Sequence, residues 1–307
     1  MLLESAEDFG DDVAQYRREL FTHCYRMMGS VDEAEDALQE ALTRAWAGRD
    51  TFRRSISFRA WLFRIATNVC LNAIDSRKRG RVEPGPCPDD LLAGVASPEI
   101  GPEARYDTHE SVSLAFLTVI QLLPPRQRAV LVLRDVLTFS GADVAVLLDT
   151  SVQSVNSSLQ RARATLRGSY SRPVDPPAAV NTSRANPPHQ LQRYVRAWEA
   201  ADVAGLVALL REDAVLRMPP KPAVIGATPI GEFLATSIFP IAPMRLVEAH
   251  ANQSSTFAVY RHRPATNSFA VFALLVVDGD GHLITNIHAY ADPRVLERFD
   301  LPAELAG

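Results

Sequence analysis

Two stretches crowded with proline decide what this chain can fold into. Proline has no amide hydrogen, and its ring blocks a helix interior or a central strand. Residues 81–104 hold Pro84, Pro86, Pro88, Pro98 and Pro102 with glycines between them, and residues 171–188 hold Pro173, Pro176, Pro177, Pro187 and Pro188. No regular element runs through either stretch, so both read as linkers. The 307 residues must then fold as three pieces, in keeping with roughly 100–150 residues per domain. The pieces differ in pattern. Residues 12–80 and 110–170 carry apolar positions at three- and four-residue steps, the helical period. From residue 189 one long helix, to about 211, gives way to alternating and β-branched runs at 213–218, 244–251, 255–262, 268–277 and 282–290. The last two runs meet at Asp278-Gly279-Asp280-Gly281, a strong hairpin signal. The expected fold class is therefore multidomain: two all-α helical domains at 12–80 and 110–170, linkers at 81–109 and 171–188, and an α+β domain at 189–307. There is no internal repeat.

The formal net charge of -4 does not suggest a nucleic-acid binder, so any such reading must come from local charge. In the first helical piece Ala34, Ala37, Leu38, Ala41, Leu42 and Ala45 share one helix face. Ser30 or Asp32 could cap that helix. Asp32, Glu33, Glu35, Asp36 and Glu40 make its other side acidic, which alone describes an ordinary solvated face. The sign then reverses. Arg44, Arg49, Arg53, Arg54, Arg59, Arg64, Arg77, Lys78, Arg79 and Arg81 face only Asp50 and Asp75, an excess of eight positive charges. Trp46, Phe52, Phe58, Trp61 and Phe63 are interleaved with them. Basic side chains that track phosphates, with rings on which unpaired bases stack, are what single-strand binding requires. Trp61, in step with Ile65 and Val69, reads as core. Phe52 and Phe58, in an expected loop beside Arg53 and Arg54, fit core and stacking equally.

The second helical piece opens at Leu122-Leu123-Pro124-Pro125-Arg126-Gln127-Arg128, with Pro125 in the first turn, where a missing amide costs nothing. That helix is expected to run to about Val136, followed by a short helix at about Gly141–Leu148 and a break at Asp149-Thr150-Ser151. A third helix carries Val155, Leu159, Ala162 and Leu166 on its core side. Short helix, tight turn and longer amphipathic helix is the layout of a helix-turn-helix. The outer faces offer Gln153, Ser154, Asn156, Ser157, Gln160, Arg161 and Arg163, side chains suited to base edges and phosphates. The three cysteines, Cys24, Cys70 and Cys87, form no CxxC pair and no cluster with metal spacing, so no metal and no cofactor is expected. The N-terminus MLLESAEDFGDD is acidic without a signal-like apolar stretch. No window of about 20 apolar residues occurs, which points to the cytoplasm and to no membrane partner.

The order of residues narrows this further. Asp32-Glu33-Ala34-Glu35-Asp36-Ala37-Leu38-Gln39-Glu40-Ala41 with Arg44-Ala45-Trp46 resembles the DAEDLVQEAFLRAW signature of sigma-factor domain two. Phe58-Arg59-Ala60-Trp61-Leu62-Phe63-Arg64-Ile65-Ala66-Thr67-Asn68 is similar to that family's WLYRIATN. The segments LPPRQRAVLVLRDV and SVQSVNSSLQRARATLR resemble sigma-factor domain four. The missing large middle domain matches the extracytoplasmic-function type. What the resemblance implies is promoter-specific initiation with RNA polymerase core and promoter DNA as partners, and no catalytic residue in this chain. Asp32, Glu35, Asp36, Gln39 and Glu40 would dock on the β′ clamp helices. Phe52, Arg53, Arg54, Phe58, Arg59, Trp61, Arg64, Asn68, Arg77, Lys78 and Arg79 would bind and help melt the minus-ten element. Arg126, Gln153, Ser154, Asn156, Ser157, Gln160, Arg161 and Arg163 would serve the minus-thirty-five element, with the domain against the β flap. The family turn usually carries glycine where this chain has Asp149, and aspartate tolerates the left-handed conformation better than most residues do; many relatives also have arginine where Asn156 stands.

Residues 189–307 hold twelve acids and ten bases, no basic footprint. The helix with Tyr194, Val195, Trp198, Leu206, Leu209 and Leu210, followed by a curved sheet, resembles the SnoaL-like branch of the nuclear-transport-factor-2-like fold. Met218-Pro219-Pro220 and the closing stretch from Ala291-Asp292-Pro293 to Phe299-Asp300-Leu301-Pro302 are similar to the extension on one subgroup of these sigma factors. Relatives carry a tryptophan-tyrosine pair soon after the MPP motif, where this chain has Ala223-Val224-Ile225-Gly226. The fold implies a cone with an interior pocket, a place for a small ligand, and a regulatory role toward the helical domains. The alternative is a cone-fold enzyme of isomerase or cyclase type with a DNA-targeting helical half. Its candidate groups are Asp213, His250, His262, His288 and Asp292. His288 and Tyr290 alternate with Ile287 and Ala289 and so share one sheet face.

Overall fold

The computed structural model describes residues 6–52, 56–77, 83–92, 110–170 and 188–307. They form two compact units, one holding both helical regions and one holding Gly85–Asp89, Ser113–Ala115 and the chain through Gly307.

In the helical unit, α1 (Ala6–Ala14), α2 (Arg17–Met28), α3 (Val31–Gly48) and α4 (Phe58–Ser76) come first. Gly29 closes α2 at φ +76°, a conformation that glycine adopts without penalty. Ser30 then caps α3 by accepting the Glu33 amide at 3.5 Å. The small side chains Ala34, Ala37, Ala41 and Ala45 are buried with Leu38, which lets α3 lie close against α2 and α4. Ser57 caps α4 through the Ala60 amide at 3.1 Å. After α5 (Asp89–Leu92), α6 (Leu114–Ile120) leads to α7 (Pro125–Leu131), α8 (Gly141–Leu147) and α9 (Val152–Tyr170). The helix expected from Pro125 to Val136 changes register at Val132–Val136, a π-helical turn. Ser140 and Asp143 form a capping box at the start of α8. Asp149 stands at φ +50° in the turn before α9, and Val155, Leu159, Ala162 and Leu166 are buried.

The two helical regions share one unit because buried arginines cross between them. Arg128 donates from Nε to the Ile120 carbonyl at 3.1 Å and from Nη2 to the Gln121 carbonyl at 3.2 Å. Its Nη1 also donates to the Met27 carbonyl in α2. Arg26 donates from Nη2 to the Ser111 hydroxyl at 2.6 Å, and Gln121 donates to the Arg26 carbonyl at 3.1 Å. Burial lowers both guanidinium groups to about 10, still charged at neutral pH.

The second unit opens with α10 (Pro188–Glu199) and α11 (Val203–Val207). The single helix expected to about 211 is interrupted: Ala201 turns left-handed at φ +52°, and Asp202 caps a new helix through the Gly205 amide at 2.9 Å. Strands β1 (Leu210–Met218) and β2 (Lys221–Ile225) follow, then α12 (Ala227–Phe233). Next come β3 (Met244–Ala251), β4 (Ser254–Arg263), β5 (Ser268–Gly279), β6 (Ile284–Tyr290), α13 (Pro293–Leu296) and β7 (Glu304–Ala306). The sheet runs β2-β1-β6-β5-β4-β3, with β7 on β5. β1 and β6 are parallel; the other pairs are antiparallel. At the predicted hairpin, Asp280 accepts the amides of His282 and Leu283, both at 2.9 Å. Strands β2 and β7 are short and exposed for most of their length, and they lack the apolar alternation that marked the others.

The proline-rich segment after residue 83 is more than a spacer. The Cys87 amide donates to Asn252 Oδ1 at 2.9 Å, and the Asn252 amide donates back to the Cys87 carbonyl at 3.0 Å. The Gln253 amide donates to Asp89 at 2.7 Å, and Pro88 bridges Ala251. Residues 81–82, 93–109 and 171–187 of the expected linkers lie outside the described residues.

Candidate nucleic-acid and partner surfaces

On α3 the side chains opposite the alanine seam are Asp32, Glu35, Asp36, Gln39 and Glu40, all exposed. They follow from the same helical period that buries Ala34, Ala37, Leu38 and Ala41. Glu40 pairs with Arg44 one turn on, at 2.7 Å, with both half exposed, a contact worth little in water. Glu33 lies apart from this row, because it pairs with Arg77 from α4. The face is thus a rigid acidic strip on a helix fixed by packing, suited to a basic protein surface and repelled by DNA.

The aromatic residues gather into one cluster beside it. Phe58 and Trp61 stack at 5.7 Å, and Phe52 meets them edge-on and tilted at 5.4 and 5.3 Å. Phe9 of α1 enters from below at 5.6 Å from Trp46 and 5.8 Å from Phe58. Phe9 is buried, whereas Trp46 is 43% exposed. Phe52, Phe58 and Trp61 are half-buried, so rings serve as core on one side and as surface on the other. Phe58 is the first residue of a helix and not part of a loop, because Ser57 supplies the cap. Trp61 is less buried than its step with Ile65 and Val69 predicts. Nothing in the surrounding acidic sequence singled out Phe9.

The basic residues divide. Arg64 and Asn68 are exposed on α4 on the face of Trp61. Arg59 instead forks onto Glu19, with Nε 3.1 Å from both carboxylate oxygens, and its guanidinium lies 4.4 Å from the Phe139 ring centre. Arg77 is held by Glu33 and the Met28 carbonyl. These two arginines hold the helical unit together rather than standing free for phosphate, a pairing that sequence spacing could not reveal since the partners are 40 and 44 residues away. Arg53, Arg54, Lys78 and Arg79 lie outside the described residues.

On α9 the outward side chains Gln153, Ser154, Asn156, Gln160 and Arg161 are exposed, Ser157 is half-buried, and Arg126 stands exposed at the start of α7. Arg163 departs from this group. It donates from Nε to Asp135 at 2.8 Å, and Asp135 is 2% exposed on its side chain. Arg163 therefore locks α9 to the π-helical turn.

The cone interior has a different chemistry. A cavity of about 180 Å³ is walled by Trp198, Met218, Phe233, Met244, Phe272 and Ala289 among others. Among the described residues, no carboxylate and no histidine lines it. Asp213 is paired with Arg211 at 2.5 Å, and Asp292 caps α13 and pairs with Arg294 at 2.7 Å. His250 is exposed, and His262 lies 3.3 Å from Asn267. His288 is buried, with desolvation and Arg217 pushing it down to about 3. Asp278, near it on β5, accepts from the Ser254 hydroxyl at 2.8 Å and is pushed up by burial to about 6. Ile287 belongs to the interior cluster and Ala289 packs against it, which puts His288 on the opposite face. Among the described residues, no group of three or more His, Cys, Asp or Glu side chains could hold a metal. No described helix is long and apolar enough to cross a membrane.

Comparison with known proteins places these surfaces in context. Residues 13–80 match Sigma-70 region 2, residues 113–166 match Sigma-70, region 4, and residues 191–285 match the SnoaL-like domain. The chain is 37% identical to the ECF RNA polymerase sigma factor SigG of Mycobacterium tuberculosis (strain ATCC 25618 / H37Rv), over 98% of this chain and 86% of that one. It is 34% identical to the ECF RNA polymerase sigma factor SigW of Bacillus subtilis (strain 168), over 52% of this chain and 87% of that one. The crystal structure of Mycobacterium tuberculosis extracytoplasmic function sigma factor SigJ superimposes with a TM-score of 0.64 at 20% identity, covering 95% of this chain and 99% of that one, which shows a shared fold.

Proposed function

The chain belongs to the extracytoplasmic-function RNA polymerase sigma factors, and from that premise we propose how its surfaces divide the work of promoter-directed initiation. Residues 12–80 form the domain for core polymerase and the minus-ten element, 110–170 the domain for the minus-thirty-five element, and 189–307 the regulatory domain. The exposed row Asp32, Glu35, Asp36, Gln39 and Glu40 docks on the β′ clamp helices, and the α7–α9 domain sits against the β flap. Polymerase performs the chemistry, in the cytoplasm where it works. The observation that carries this reading is the acidic strip of α3 standing beside an aromatic cluster on α4 whose free face offers Arg64 and Asn68. Bases must leave the stack before they can be read, and such a face stabilises them there. Arg59, Arg77 and Arg163 drop out of the DNA set, since each is committed to a carboxylate. The double variant Asp36→Arg with Glu40→Arg tests the docking strip: it keeps its melting temperature and loses core-polymerase binding in a pull-down. Unchanged binding would remove the strip from the interface.

The promoter elements lie about 25 base pairs apart by their names, which is about 85 Å at roughly 3.4 Å per base pair. A compact body of this unit's chain length has a radius of gyration of only about 15 Å. The two helical domains, joined here through Arg26, Gln121 and Arg128, must therefore part to reach both elements at once. Fluorophores on Asn72→Cys and Gln160→Cys are expected to show high energy transfer in the free chain, and a large drop once core polymerase and promoter DNA are added. The third domain sets how readily that happens. Its cavity, lined by no carboxylate and no histidine among the described residues, supports a sensing role over an isomerase or cyclase role.

A further inference from the structure

The geometry points to a small amphipathic carboxylate, with an apolar body of medium-chain length, as the ligand of the cone cavity. This inference rests on the sensing role assigned to the third domain. The wall is apolar on every side: Trp198 from α10 and Leu216 from β1, Phe233 from the end of α12 and Leu234 just after it, and Phe272 and Ala289 from the sheet. An apolar cavity of about 150 Å³ holds one benzene ring, so a cavity of about 180 Å³ takes a body of that order or slightly larger. Lys221 is the one charged side chain among the described residues that line the cavity, and a single indole N–H from Trp198 cannot balance a buried charge, so a charged group must stay at the rim beside Lys221.

Both charged groups placed at the rim are cationic. Lys221 lines the cavity directly from β2 and is exposed. Arg261 is paired in register with Met244, a wall residue, and so shares its concave face. Its guanidinium lies 4.6 Å from the ring centre of Phe272, another wall residue, which turns the cation toward the cavity mouth. Arg263, two residues on, pairs with Glu304, whereas among the described residues neither Lys221 nor Arg261 has an ion-pair partner, and no acidic side chain lines the cavity. An apolar hole edged by two unpaired cations repels amines, gains little from neutral lipids beyond burial, and complements a carboxylate whose tail fills the hole.

Calorimetric titration of the full chain with octanoate, 1-octanol and octylamine tests this directly, whether or not the chain is transcriptionally active. Octanoate is expected to bind one site with a Kd below about 1 mM, a bound set by the affinity such a small ligand can reach. Octanol should bind about tenfold more weakly or worse, and octylamine not at all. Ala289→Phe, which fills the cavity from its sheet wall, should abolish octanoate binding. Lys221→Glu and Arg261→Glu, surface changes with intact melting temperatures, should each weaken octanoate severalfold while leaving octanol unchanged. Absence of saturable octanoate binding overturns the inference. So does equal binding of all three probes, or an Arg261→Glu, Lys221→Glu double variant that binds octanoate as tightly as the parent chain. A site that binds octanoate without changing transcription would leave the ligand class standing and remove the sensing role.

Discussion

The helical unit and the cone carry their functional chemistry on opposite sides of their cores. In α3 and α9 the interior is filled by alanine, valine and leucine with little individuality, and what is distinctive stands in solvent: Asp36, Glu40, Gln153, Asn156 and Arg161. In the cone the distinctive feature is the hole itself, and the outward β2 is plain enough to leave Ile225 66% exposed. A helix face is written in the sequence at a period of three to four, so an exposed functional row can be read as a row. A cavity is assembled from β1, β2, β3, β4, β5, β6, α10 and α12 together, and no stretch of sequence contains it.

The sharpest way to break this contrast is to ask whether buried charge matters more in the helical unit than exposed charge does. Arg128→Met removes the guanidinium that joins four backbone carbonyls around α6, α7 and α2. Orphaning buried acceptors is expected to cost about 3–5 kcal/mol of that unit's stability in chemical denaturation. A smaller loss, under about 1 kcal/mol, would mean that the unit is already loose where the domains meet.

A second comparison lies within α9. Arg163→Ala should lower stability by about 2 kcal/mol, since it leaves the Asp135 carboxylate buried without its partner. Arg161→Ala should leave melting unchanged, weaken promoter binding, and reduce the salt slope by about one ion. Swapped outcomes would reverse the assignment of structural and DNA-facing arginines.

The smallest effect belongs to the cone and depends on pH. Asp278 titrates near 6 when folded, above an ordinary carboxyl. The folded state therefore binds more protons than the unfolded state between about pH 4 and 6, and this group's contribution falls as pH rises through that window. Asp278→Asn keeps an acceptor for the Ser254 hydroxyl and removes the buried charge. It should stabilise the cone by about 1–2 kcal/mol at pH 8 and by almost nothing at pH 4, read from paired melting curves. His288, held down to about 3, works with the opposite sign over much of the same range, so His288→Gln should flatten the rise of stability between about pH 3 and 6.5.

How much was legible follows the same division. The helices, their caps at Ser30, the left-handed Asp149 and the hairpin at Asp280 were all written locally, in residue types whose conformational preferences act over three or four positions. The break at Ala201–Asp202 was missed because alanine carries no breaker signal and the apolar period runs on through Leu206 and Leu209. The pairing of Arg59, Arg77 and Arg163 is not legible, because charge is visible in sequence while the partners Glu19, Glu33 and Asp135 are remote. Five candidate acids and histidines in the cone were chosen by residue type, yet none lines the cavity; strand alternation sent His288 to the other face, and Asp213 and Asp292 found arginines two residues away.

Transcription of fragmented genomic DNA by purified core polymerase, with and without the full chain, followed by sequencing of transcript 5′ ends, tests promoter-directed initiation through α3 most directly. The expected result is a small set of new 5′ ends that share upstream minus-ten and minus-thirty-five elements, and that vanish with the Asp36→Arg, Glu40→Arg variant. Identical 5′ ends with and without the chain would contradict its role in initiation, and new ends that persist with the double variant would contradict the docking strip.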